Sequence, residues 1–122
     1  MNLTEARAAL AAAVSTLDGV TCTARPVPGN TRVRDAWVTA GRRSIGPFFG
    51  THLVELSAFV VVGSDETKAD SLVDELSGPL LSCLDDLYAQ EASVEPQVVV
   101  TTGAVPGNLY TLALTATFEL SE

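Results

Sequence analysis

The sequence is short of the residues that carry chemistry. It has one histidine, His52, one lysine, Lys68, and two cysteines, Cys22 and Cys83, in 122 residues. No GxSxG nucleophile elbow and no GxGxxG phosphate fingerprint is present, and a hydrolytic centre would have to bring His52 within hydrogen-bond reach of a cysteine. The cysteines stand far apart, with no CxxC and no Cys/His cluster, so no zinc site or other metal site is expected; both read as buried free thiols acting as small hydrophobes. Basic residues are scarce, seven against fifteen acids, and the net charge of −8 with a pI near 4.4 argues against a general positive field for nucleic acid. No apolar run approaches the roughly 18–20 residues of a membrane span. Glu5 and Arg7 interrupt the apolar N-terminal stretch, so it does not read as a secretory signal, and cytosolic synthesis is expected.

What the chain does have is a balanced apolar content, 47% hydrophobic with nine Gly and six Pro, which suits one small domain over residues 1–122. Asn2 with Glu5 three residues on opens a helix over 2–17, stopped at Asp18-Gly19. Period-two alternation predicts strands at Val20–Ala24, Val33–Ala40 and His52–Val62. Gly63-Ser64-Asp65 then reads as the N-cap of a long amphipathic helix reaching about residue 89, with Gly78-Pro79 kinking or dividing it. Strands at Gln97–Thr102 and Leu109–Leu120, joined by a turn at 103–108, complete the order α-β-β-β-α-β-β. The expected class is α+β: an antiparallel or mixed sheet of about five strands with both helices on its apolar side.

Charge is segregated along the chain. Residues 1–54 hold six Arg and three acids, net +3, whereas residues 55–122 hold one Lys and twelve acids, net −11. The acidic pairs of the second half read as the solvated face of its helix. Arg32, Arg34, Arg42 and Arg43 fall close together, and the segment Gly41–Gly50 adds Phe48 and Phe49 to two of them. Too glycine-rich for a strand interior and too apolar for an idle loop, this segment reads as a contact loop. Arg32, Arg34, Arg42, Arg43, Phe48 and Phe49 are therefore the candidate partner-binding residues. Two readings of the charge stay open: internal pairing of basic loops with the acidic helix, or head-to-tail association of opposed faces.

In its ordered features the chain resembles the tail terminator (tail completion) proteins of long-tailed bacteriophages, particularly the small acidic ones of actinobacterial phages. Those features are the Ala-rich first helix, a strand running into Arg25-Pro-Val-Pro-Gly29, the apolar strand His52–Val62, the long acidic helix and a Val/Thr-rich terminal hairpin. The resemblance implies a structural virion protein of the tail and neck, with no catalytic residues and no cofactor. It implies a hexameric ring that caps the tail tube, stops its polymerisation and presents a docking surface to the head-side connector. DNA would pass through the lumen without specific binding. The alternatives are another head–tail neck or connector adaptor, favoured by a twelvefold assembly, and a small cytosolic dimeric anion-binding module, favoured by an apolar pocket beside Arg32 and Arg34.

Overall fold

The computed structural model describes residues 2–25, 32–63, 66–85, 87, 89–101 and 107–121. Two helices and five strands follow the expected order: α1 (Leu3–Val14), β1 (Thr21–Thr23), β2 (Asp35–Ile45), β3 (Thr51–Gly63), α2 (Glu66–Ser82), β4 (Gln90–Thr101) and β5 (Gly107–Ser121). The strands form one sheet in the order β1-β2-β3-β5-β4. β1 runs parallel to β2, and every other pair is antiparallel, so the sheet is mixed.

Alternation decides which face is covered. Val54, Leu56, Ala58, Val60 and Val62 of β3 are buried, as are Leu112, Leu114, Ala116, Phe118 and Leu120 of β5, and they meet Leu10 and Val14 of α1 and Leu76 and Leu80 of α2 in one core. α1 packs over β1, β2 and β3, and α2 over β3, β5 and β4. On the opposite face Trp37 and Phe59 stack with centroids 5.8 Å apart, and the hydroxyls of Ser57 and Thr115 share a 3.1 Å hydrogen bond. Among the described residues this face carries cross-strand pairs and no helix.

Several boundaries differ from the periodicity, each for a local reason. α1 stops at Val14 and not at residue 17, because hydroxyls compete for the backbone there. The Thr16 hydroxyl donates to Ala13 O (2.6 Å), and the Ser15 hydroxyl accepts from Cys22 N (3.0 Å), pinning the helix end to β1. Gly19, with φ of 75°, then turns the chain. β1 is three residues long, and Arg7 covers the carbonyls just past it, donating to Ala24 O and Val38 O at 3.2 Å each. α2 ends three residues after Pro79; tighter turns, such as Leu87 N to Leu84 O (3.0 Å), replace the expected helix beyond Ser82. β4 begins at Gln90, well before Gln97, and holds Pro96 in its interior, a position an edge strand tolerates. Ser64 and Asp65 of the expected N-cap, and most of the expected 103–108 turn, lie outside the described residues.

Candidate interaction surface

The largest correction concerns the Gly41–Gly50 segment. Residues 41–45 are strand, so only 46–50 form a loop, and the whole is the end of a β2–β3 hairpin. A β-bulge between Ala40 and Arg43 absorbs one extra residue, which is why Gly41 is accommodated there. Beyond it Arg43 pairs with Val54, Ser44 with Leu53 and Ile45 with His52. Residues 40–45 are exposed on both faces, although Leu56 and Val54, opposite Ala40 and Arg43 on β3, are buried in the core. β1 is paired with β2 only from Asp35 to Trp37, so this stretch of β2 is an outer strand and Ala40, expected in the core, lies outside it.

The tip is held by short-range bonds. Gly46 N donates to Thr51 O (3.0 Å) and Thr51 N to Phe48 O (3.1 Å). The Thr51 hydroxyl donates to Phe48 O (2.6 Å) and accepts from Phe48 N (3.2 Å), while Gly50 takes φ of 79°. This network leaves Phe49 wholly exposed (107%), Phe48 at 68% and Ile45 at 87%. Three large apolar side chains in solvent on one short hairpin make this tip the candidate interaction surface. Ile45 was not among the residues expected from the sequence, although its place in the same apolar segment was the available signal.

A Cβ on Gly46 would collide with the Thr51 side chain and come within 2.8 Å of its backbone carbonyl carbon. Gly46→Ala is expected to open this turn by about 1–3 kcal/mol. Amide exchange at Thr51 should quicken by roughly tenfold or more, and unchanged exchange would show that the turn yields without cost.

The arginines do not converge. Arg34, with φ of 74°, is an internal tie: its guanidinium donates to Asp18 O (2.9 Å) and pairs with Glu75 of α2 at 3.4 Å. Here the internal-pairing reading of the charge is realised. Arg32 begins a tight turn in which its N–H donates to Asp35 (2.9 Å), and its side chain is exposed. Arg34 N donates to Val61 O, whereas Arg43 pairs with Val54, which separates them by about 23 Å along the sheet. Arg42 lines a shallow depression on the open face with Ser44, Leu53, Glu55, Glu91 and Thr117. Arg42, Arg43, Phe48 and Phe49 therefore share the hairpin, and Arg32 and Arg34 belong to the opposite end.

A second concavity, of about 180 Å³, opens between α2 and the β4–β5 pair. Val62, Ala69, Val73, Val98 and Tyr110 make its apolar wall and Asp70 stands at it, with neither Arg32 nor Arg34 in the lining. Its residues come from three separated segments, so no local pattern in the sequence announces it.

His52 and Cys22 do not meet. Cys22 aligns with Ala36 and hence Val60, eight residues from His52 along β3, or about 26 Å. Among the described residues no group of three His, Cys, Asp or Glu side chains is placed to hold a metal ion. Cys22 and Cys83 are free thiols, and both are half-buried. Burial, and then the negative charge that Cys83 would carry, pushes Cys22 up to about 12; burial and Asp85 push Cys83 up to about 11, although a backbone hydrogen bond works the other way. Both are poor nucleophiles at neutral pH. At pH 8 the folded protein is expected to alkylate far more slowly than the unfolded chain, as read by mass spectrometry; equal rates would contradict this burial. Because the folded values lie above the ordinary 9.0, the thiols' contribution to stability is intact below pH 9 and is lost as the pH rises toward 11–12.

No family model matches this sequence, and no curated protein matches it significantly.

Proposed function

We propose that this protein is a structural subunit that associates head to tail into a ring and acts as a phage tail terminator. In that role the ring caps the tail tube, ends its polymerisation and offers a docking surface to the head-side connector within the virion. The observation that carries the reading is the exposed end of the β2–β3 hairpin, which holds Ile45, Phe48 and Phe49 in solvent beside Arg42 and Arg43. An exposed aromatic tip flanked by arginines is the composition of an interface anchor. The sixfold stoichiometry and the tail partners rest on the resemblance of element order and composition.

The test is the mass of the purified protein by light scattering, alone and mixed with tail-tube subunits from the same source. Sixfold rings, free or formed on tube ends, are the expected result. A twelvefold assembly would reassign the protein to the connector side of the neck. A dimer indifferent to tubes would overturn the reading in favour of a cytosolic binding module.

A further inference from the structure

The molecule presents a knob and a hole at opposite ends of the same strand, β3. The knob is Phe49, fully exposed at the tip that precedes Thr51. The hole is the 180 Å³ groove at the other end of β3, where Val62 meets Ala69 and Val73 of α2 and Val98 and Tyr110 of the terminal strands. A phenyl ring is accommodated by an apolar cavity of about 150 Å³, so a phenylalanine side chain fits this volume. Val98 is itself 53% exposed at the groove, an apolar side chain in solvent that an incoming ring would cover.

Knob and hole cannot meet within one chain. Thr51 and Val62 are eleven residues apart on β3, about 36 Å, so the ring that fills the groove must come from another copy. The charges set beside the knob and at the groove are opposed. Arg42 and Arg43 lie on the strand leading to the tip, and Asp70 stands at the groove with Asp74 exposed one helical turn on. A second copy thus supplies both the shape and the sign that the groove requires.

We infer that Phe49 of one copy seats in the α2/β4/β5 groove of the next, with Arg42 and Arg43 set against Asp70 and Asp74. The contact is heterologous, because the two patches are different and lie at opposite ends, so it propagates from copy to copy and closes only if the rotation allows. It specifies the subunit contact of the ring proposed above, and to that extent rests on that reading.

Complementation tests it. Phe49→Ala removes the knob and keeps the groove; Val98→Arg keeps the knob and puts a cation at the groove. Both positions are exposed, and Asp70→Lys spoils the groove from the helix side if Val98→Arg does not fold. Each variant alone is expected to self-associate about thirtyfold or more weakly than wild type by sedimentation, the scale of an aromatic anchor. Mixed, Phe49→Ala and Val98→Arg should form a 1:1 pair and nothing larger, since one intact knob and one intact groove remain. Wild-type assembly by Phe49→Ala would overturn the inference while leaving the ring reading in place. So would a mixture that forms no pair although wild type associates. A wild type that stays monomeric free in solution also overturns it, and the ring reading is then decided separately on tube ends.

Discussion

With Arg42 and Arg43 both replaced by glutamate, the protein is expected to keep its fold and, if it acts as the tail terminator proposed above, to fail in tail joining. The substitution turns two positive charges into two negative ones on the exposed end of β2, where the depression lined by Arg42 already holds Glu55 of β3 and Glu91 of β4. Facing the second half of another copy, which carries a net −11, the reversed hairpin meets like charge. Such juxtaposition costs several kcal/mol at an interface, enough to suppress assembly. The strand pairs from Ala36 to Ala40 and the core lie away from the change, so the thermal melt should stay close to that of wild type. Tail joining scored by electron microscopy, with the melt as control, reads the result. Normal joining would remove these arginines from the interface. The same electrostatics predicts that raising salt from about 0.05 to 1 M weakens wild-type association, since exposed charges are screened over about 3 Å at the higher value. Indifference to salt would point to Phe49 and its apolar neighbours alone.

Leu114→Ala is expected to have the largest effect on stability. Leu114 is wholly buried on β5, between Ala58 of β3 and Val94 of β4, with its side chain in the core. Removing three carbons there loses transfer free energy and leaves a cavity that the central strands are too constrained to close, a cost of about 2–5 kcal/mol. A domain of this kind has about 5–15 kcal/mol in total, so the variant gives up a large share of its margin. Urea unfolding should show the midpoint fall with the slope unchanged. Leu81, partly exposed on α2, is the contrast: truncation there should cost little, and equal losses at the two sites would mean that the core is not where the burial places it.

Periodicity was sufficient wherever an element is packed on one side only. The alternating runs of β3 and β5 identify the core residues Val54 to Val62 and Leu112 to Leu120, and Asn2 caps α1 through the 2.8 Å bond from Glu5 N. It was insufficient where side chains act on backbone. The hydroxyls of Ser15 and Thr16 shorten α1, and a bulge lets Gly41 lie within β2. Pro96 suggests a strand start, yet it sits within β4 because that strand is at the edge. For the candidate surface, the exposed pair Phe48 and Phe49 was legible from composition, whereas the grouping of the arginines was not. Arg34 and Arg43 are nine residues apart in sequence, and an extended strand carries that interval almost the length of the sheet. The groove beside Asp70 depends on three segments meeting and has no one-dimensional signature.

The proline in β4 has a further consequence for a chain proposed to associate with copies of itself. β4 is a twelve-residue strand at the sheet's edge, and Val98-Val99-Val100 within it is the kind of run that templates fibrils. Pro96 takes one donor out of that edge, and Glu91 and Glu95 are exposed charges on the same strand. The outermost strand is thereby a poor template for amyloid-like stacking, which leaves side-chain contacts, and not backbone pairing, to decide which copies meet.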